Sequence, residues 1–293
     1  MSARNIIPSI DAATGITAIF GDPVEHSMSP AMHNAAYAAL KMNRAYLAFR
    51  VRPENLAAAL DAIPALGIIG VNLTVPHKEN AARRIKNLSA EARLLGAVNC
   101  VANRRETLLG DNTDARGLEI DLRENHAAIA GGIAIVIGAG GAAAAAVLAC
   151  IRMRAAHIII ANRTISRARA LVRRMTPQAG RTSLEARGLE AAADRMLVAN
   201  ARAIINASAM GLATRRFAPV AYDASPADCL FYDLIYSAKP TAFLAPAMRS
   251  RRRAIDGAGM LANQGELAFK LFNGVAPPRG VMRAALMNRL SRI

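Results

Sequence analysis

Tryptophan is absent, and aromatic residues make up 4% of the 293. Stacking platforms for single-stranded nucleic acid therefore have little to be built from. Cysteine is scarce as well. Cys100, Cys150 and Cys229 are an odd number without metal-type spacing, which excludes a disulfide framework or a cysteine metal knot. Free thiols in a reducing compartment are expected. No run of 18 apolar residues lacks charge or turn signals, so a membrane span is not expected. The first 15 residues lack the apolar core of a secretory signal. A cytoplasmic location follows as the expectation. Acid is short too: 21 Asp and Glu stand against 37 Lys and Arg, a formal charge of +16. That excess suits attraction of anionic small molecules, nucleic-acid binding or a chain-wide taste for arginine. The arginines are scattered, and the longest run is Arg251-Arg252-Arg253. A nucleic-acid footprint is normally clustered, so no nucleic-acid partner is expected.

What is present is apolar residues, 53% of the chain, enough for sizeable cores. The length suggests about two domains. The stretch Gly70-Val71-Asn72-Leu73-Thr74-Val75-Pro76-His77-Lys78 reads as a short strand, a proline stop and an immediate helix with Lys78 in its first turn. The amino end of a helix carries partial positive charge, so a cation is misplaced there. A local rule broken beside a strand end marks a place to look for function. A lysine so placed suits a group that gives and takes a proton.

Taken from the start, Ile16–Phe20 is a strand, and Ser29-Pro30 signals a helix start with Ser29 as cap. Two hydroxyls, Ser27 and Ser29, beside a helix amino end form a seat for carboxylate or phosphate. Strands are predicted at 45–51, 67–75, 97–101 and 107–109. Helices are predicted from Pro53, with Leu56, Ala59, Leu60 and Ile63 on one face, and over 89–95. This alternation predicts an α/β domain. Asp114 falls at the start of a helix reaching Glu124, where an acid is favoured by the dipole.

Ile133–Ile137 is a buried strand running into Gly138-Ala139-Gly140-Gly141-Ala142-Ala143, then an alanine-rich helix to Arg152, then a strand at His157–Ile160. This is the dinucleotide fingerprint in its strand–turn–helix–strand setting. Gly138 permits the turn, Gly140 admits the pyrophosphate, and Ala143 lets helix and strand pack closely. An acid at the end of the second strand would bind a ribose 2′-hydroxyl. Here Asn162-Arg163-Thr164 stands instead, with Arg167 four residues on. Guanidinium groups suit a 2′-phosphate, so NADP(H) is predicted. Further strands are predicted at 203–206 and 230–234. A glycine turn at 256–259 leads into a helix over 260–272 carrying Gln264, and a last helix spans 281–290.

These motifs, in this order, resemble the shikimate dehydrogenase family over Gly21 to Asn273. The residues carrying the resemblance are Gly21-Asp22-Pro23 with His26-Ser27 and Ser29-Pro30; Asn72 to Lys78; Gly96-Ala97-Val98-Asn99; Asp111-Asn112-Thr113-Asp114; the glycine turn; Asn162-Arg163-Thr164; Tyr232-Asp233 with Tyr236; and Gly257 through Gln264-Gly265. The resemblance implies an α/β substrate-binding domain over 1–113, a Rossmann NADP-binding domain over 114–258, and C-terminal helices over 259–293 returning to the first domain. It implies reversible NADPH-dependent reduction of 3-dehydroshikimate to shikimate, on the route to chorismate and aromatic amino acids. It assigns Lys78 and Asp114 as the catalytic pair. Ser27, Ser29 and Tyr236 match carboxylate ligands; Thr74, Asn99, Asp114 and Gln264 match the remaining substrate contacts. Gly138, Ala139, Gly140, Gly141 and Ala142 match the pyrophosphate turn. Asn162, Arg163, Thr164 and Arg167 match the 2′-phosphate site, and Leu234 and Gly259 border the nicotinamide. No metal is implied, and a monomer or homodimer is expected. Two departures are Cys100, where threonine is common, and Leu234, where methionine is common. The alternatives are a dehydrogenase for quinate or a related cyclohexane carboxylate, and a catalytically silent ligand-sensing or nucleic-acid-binding protein on this fold.

Overall fold

The computed structural model describes residues 10–211 and 217–292. They form a two-domain α/β protein with two six-stranded sheets. The described residues divide into two compact units. One comprises those up to Thr113 together with those from Gln264 on; the other is Asp114–Asn263.

The first unit opens with strand β1 (Gly15–Gly21), helix α1 (Ser29–Ala39), β2 (Arg44–Arg50), α2 (Leu56–Ala65), β3 (Gly70–Leu73) and α3 (Lys78–Arg84). It continues with β4 (Asn87–Leu88), α4 (Ala90–Leu95), β5 (Cys100–Arg104) and β6 (Thr107–Asp111). The sheet order is β2-β1-β3-β5-β6-β4. β1 pairs in parallel with β2 and β3, whereas β5 runs antiparallel to both β3 and β6. The predicted face of α2 is the buried one: Leu56, Leu60 and Ile63 pack with Ala18, Phe20, Val71 and Leu73. Both ends of α4 are written in its residues. Ser89 accepts from the Ala92 N–H at 3.0 Å, and Gly96 closes the helix at φ 62°.

The second unit runs α5 (Asp114–Glu124), β7 (Ile133–Ile137), α6 (Gly141–Arg152), β8 (His157–Ala161), α7 (Ile165–Met175), β9 (Ser183–Arg187), α8 (Arg195–Val198) and β10 (Ala201–Asn206). Then come β11 (Leu230–Asp233), α9 (Leu244–Arg249) and β12 (Arg253–Ile255). Its sheet, β12-β11-β10-β7-β8-β9, is parallel throughout. That is the doubly wound order in which ligands sit outside the carboxyl ends of the strands. Isoleucine and valine fill β7 and β8 because both faces of such a sheet are covered.

Helix α10 (Ala258–Asn273) and helix α11 (Val281–Leu290) complete the chain. The division between units falls inside α10, after Asn263. From Gln264 on, α10 belongs to the first unit: Ala268 and Phe272 pack on Cys100 and Ala102 of β5. A side chain at Gly70 would overlap the Phe272 ring. α11 packs on α1, and Met282 and Met32 both lie against Gly265.

Two sequence readings need correction. Ser29 does not cap α1; Met28 holds that position, and no side chain caps it. The Ser27 hydroxyl instead accepts the Ser29 N–H at 3.3 Å, so the helix is entered one residue earlier. Gly259 is not in a turn before the last long helix but inside its first turn. The helix starts at Ala258, whose N–H bonds the Asp256 carboxylate at 3.1 Å.

His33 is buried in α1, stacked on Tyr46 at 4.1 Å, and burial alone lowers its pKa to about 3. The unfolded chain binds a proton near pH 6.5 that the folded chain refuses. The stability associated with His33 is therefore complete above pH 6.5 and declines as pH falls toward 3. Between pH 6.5 and 5 the loss is about 2 kcal/mol. Urea unfolding of wild type and His33→Phe at both pH values should show that extra loss only in wild type; parallel losses would contradict it.

Candidate active site

In the first unit, register decides which residues share an edge. Phe20 lies opposite Leu73 in parallel, Asn72 opposite Cys100 antiparallel, and Cys100 opposite Asp111. The carboxyl ends of β1, β3 and β6 and the amino end of β5 therefore lie at one edge of the sheet. Ser27 and Ser29 follow β1, Thr74 and Lys78 follow β3, Asn99 precedes β5, and Thr113 follows β6. Both cis peptide bonds, Asp22–Pro23 and Val75–Pro76, occur at this edge.

The edge is stitched by backbone bonds. Thr74 N–H donates to Phe20 C=O at 3.0 Å, and Asp22 N–H to Val75 C=O at 3.1 Å. A side chain at Gly21 would overlap the Thr74 methyl, so glycine is what lets the two strand ends close up. Lys78 is the first residue of α3 and is half-buried. Its carbonyl accepts the Val98 N–H at 2.9 Å, which ties the helix start to the loop carrying Asn99. The preceding residue, His77, is buried, with Nε2 2.7 Å from the Val51 carbonyl oxygen. The lysine thus projects from a backbone anchored on both sides.

Buried Asn99 spends its amide on this edge. Its Oδ1 accepts the Thr113 N–H at 2.9 Å, and its Nδ2 donates to Thr113 Oγ1 at 3.0 Å and to Gln264 Oε1 at 3.4 Å. Thr113 Oγ1 donates in turn to the Gln264 carbonyl at 3.1 Å. Behind Asn99, Asn72 Nδ2 donates to its carbonyl at 3.1 Å, and Tyr46 donates to Asn72 Oδ1 at 2.8 Å. Burial holds the Tyr46 phenol well above its usual range. A continuous chain of hydrogen bonds therefore joins Tyr46, Asn72, Asn99, Thr113 and Gln264. Sequence reading gave Tyr46, Asn72 and Thr113 no role in it; the signal was a polar asparagine in the centre of an apolar strand.

In the second unit the carboxyl edge is continuous in the same way. Gly138 N–H donates to Ala161 C=O at 2.9 Å, Ala207 N–H to Ile137 C=O at 2.8 Å, and Leu234 N–H to Asn206 C=O at 2.9 Å. Gly138 has φ 121°, and a Cβ there would lie 2.8 Å from the Ala207 carbonyl oxygen. Gly140, at the amino end of the twelve-residue α6, is exposed, and a Cβ there would meet nothing within 4 Å. Ala139 and Gly141 are half-exposed and Ala142 exposed. The turn thus has the closed base and open top that a pyrophosphate needs over a helix amino end. Asn162 Nδ2 donates to Thr164 C=O at 2.9 Å, closing the turn from β8 into α7. Arg163 and Arg167 are exposed and make no ion pair among the described residues.

Leu234 and Gly259 belong to this unit too. A side chain at Gly257 would overlap the Leu234 carbonyl, and one at Gly259 the Asp121 carboxylate. Asp121, fully buried on α5, accepts from Tyr232 Oη at 2.6 Å. It is a further residue that sequence reading passed over. Asp233 accepts from Thr241 Oγ1 at 2.6 Å and Asn206 Nδ2 at 2.9 Å, while burial pushes its carboxyl above the usual range. Tyr236 is half-buried, with its phenol raised by burial. Asp114, 5% exposed, opens α5, where the dipole favours an acid. Lys78 and Asp114 fall in different units. Among the described residues there is no cluster of potential metal ligands and no helix long and apolar enough to cross a membrane.

Three family models match along the chain: the shikimate dehydrogenase substrate binding domain over 19–101, shikimate / quinate 5-dehydrogenase over 122–213, and the shikimate 5′-dehydrogenase C-terminal domain over 257–287. The shikimate dehydrogenase (NADP(+)) of Geobacter metallireducens is 37% identical over 97% of this chain and 99% of its own. The chain belongs to the shikimate dehydrogenase family. Among solved structures of that family, the shikimate 5-dehydrogenase of Thermus thermophilus in complex with NADP(H) and shikimate is 34% identical, with a TM-score of 0.83 over 94% of this chain and all of the other. A quinate dehydrogenase from Corynebacterium glutamicum in complex with NAD is 26% identical, with a TM-score of 0.85 over 94% and 99%.

Proposed function

We propose that this shikimate dehydrogenase family member catalyses the reversible, NADP-dependent interconversion of 3-dehydroshikimate and shikimate. The observation that carries the reading is the shared edge of the first sheet, where three chain segments carry Ser27 and Ser29, Thr74 and Lys78, and Asn99. Ser27 and Ser29 seat the substrate carboxylate, with Tyr236 assisting. Thr74, Asn99 and Gln264 hold the ring hydroxyls; the hydrogen bonds joining Asn99 and Gln264 fix both amides in advance. Lys78 Nζ gives a proton to the reacting oxygen in reduction and takes it back in oxidation, and Asp114 holds the substrate hydroxyl in line. NADPH, when bound, supplies the hydride. Gly138 to Ala142 and the amino end of α6 would hold its pyrophosphate, and Arg163 and Arg167, with Asn162 and Thr164, its 2′-phosphate. Leu234 and Gly259 would border the nicotinamide. The described residues up to Thr113 and from Gln264 on serve as substrate domain, and Asp114–Asn263 as cofactor domain. The protein acts in the cytoplasm as a monomer or homodimer on a small-molecule substrate, without a nucleic-acid partner.

The test is an absorbance assay of shikimate and quinate, each with NADP⁺ and NAD⁺. Shikimate with NADP⁺ should give the highest kcat/KM, by about tenfold or more over the other pairs, the scale of losing one charged contact. Quinate with NAD⁺ prevailing would transfer the protein to the quinate reading.

A further inference from the structure

Beyond Arg163 and Arg167, a third arginine stands at the same strand ends. β8 and β9 run in parallel with Ala161 opposite Arg187, and Asn162 N–H donates to the Arg187 carbonyl at 3.1 Å. The last residue of β9 is thereby fastened to the first residue of the Asn162-Arg163-Thr164 turn. Strands in a ladder lie about 4.8 Å apart, well within the reach of an arginine side chain.

The Arg187 side chain is held by its base. Nε donates to Glu185 Oε1 at 2.6 Å, two residues back on the same strand face, and Glu185 Oε2 lies 3.3 Å from His157 Nε2. Neither terminal nitrogen of Arg187 has a hydrogen bond among the described residues, and the residue is exposed. The guanidinium therefore keeps the fork that recognises carboxylate and phosphate. Charge points the same way. Glu185 stands two residues before Arg187 on the same strand, and alone it would repel an anion there; its ion pair with Arg187 offsets that charge.

We infer that Arg187 is a specificity-determining residue that, from the neighbouring strand, adds a third cation to the 2′-phosphate site. This rests on the reading of Arg163 and Arg167 as the primary phosphate ligands. A surface ion pair confined to stabilising β9 would give Arg187 no preference between cofactors, and that difference is measurable.

The test is fluorescence titration of NADPH and NADH into wild type, Arg187→Ala, Arg187→Lys and Arg163→Ala, with melting temperatures alongside. Arg187→Ala should weaken NADPH about fivefold, the upper range for an exposed charged contact, and leave NADH within about twofold. Arg187→Lys should recover most of the loss, and the salt dependence of NADPH binding should flatten in Arg187→Ala, since exposed charges are screened. NADPH binding unchanged, or both cofactors weakened alike, while Arg163→Ala still discriminates, overturns the role of Arg187 alone. Equal losses of both cofactors in Arg163→Ala would remove the phosphate site itself, and Arg187 with it.

Discussion

Lys78→Ala should lower turnover by about 10²-fold or more, the scale of positioned acid–base catalysis, while NADPH affinity stays nearly unchanged. Lys78 is a half-buried side chain at the first position of a seven-residue helix. Its backbone is anchored by the Val98 N–H and, one residue before, by buried His77 on the Val51 carbonyl. Truncation at Cβ leaves both anchors in place, so the variant should fold. The glycine turn belongs to the other unit, which is why cofactor binding should not follow turnover down. The measurement is kcat and KM for shikimate beside a direct NADPH titration. Turnover within a few-fold of wild type would take the proton-transfer role from Lys78.

The second large effect concerns two glycines with opposite surroundings. Gly138→Ala should destabilise the protein by about 3 kcal/mol, the scale of a side chain forced into a glycine-only conformation, and weaken NADPH more than tenfold. Its φ of 121° is disallowed for L side chains, and the new Cβ would lie 2.8 Å from the Ala207 carbonyl oxygen. That oxygen is main chain at the end of a central strand, so it has little room to yield. Gly140→Ala differs: φ is −95°, and the space is open. It should be nearly silent in urea unfolding yet still weaken NADPH, because the added methyl points where a pyrophosphate would pass. Unfolding midpoints and NADPH titrations of both variants check the contrast. Wild-type stability in Gly138→Ala, or wild-type affinity in Gly140→Ala, would count against the assigned geometry.

The elements most legible in the residues were those whose local and long-range preferences agree. β7, Ile133–Ile137, is an unbroken β-branched run, and its bounds match the expectation. α5 and α11 do too. Less legible were edge and two-residue strands. β4 is only Asn87–Leu88 and exists through its pairing with β6. β9 reads Ser-Leu-Glu-Ala-Arg, without a buried alternation, because it lies at a sheet edge. α7 escaped notice because arginine dominates it; its buried stripe is only Ala168, Leu171 and Met175. At the candidate site, single residues with a local oddity were findable, such as the misplaced Lys78 or the missing acid after β8. Tyr46, Thr113 and Asp121 were not, since their meaning lies in partners as far as 151 positions away.

The three thiols, Cys100 in one unit and Cys150 and Cys229 in the other, are buried and unbridged. Burial pushes Cys150 and Cys229 up to about 12, far from the thiolate form that reacts with alkylating reagents. A labelling reagent therefore meets a closed door until a unit opens. Each half of the molecule carries its own built-in chronometer of opening, readable by mass without adding a probe.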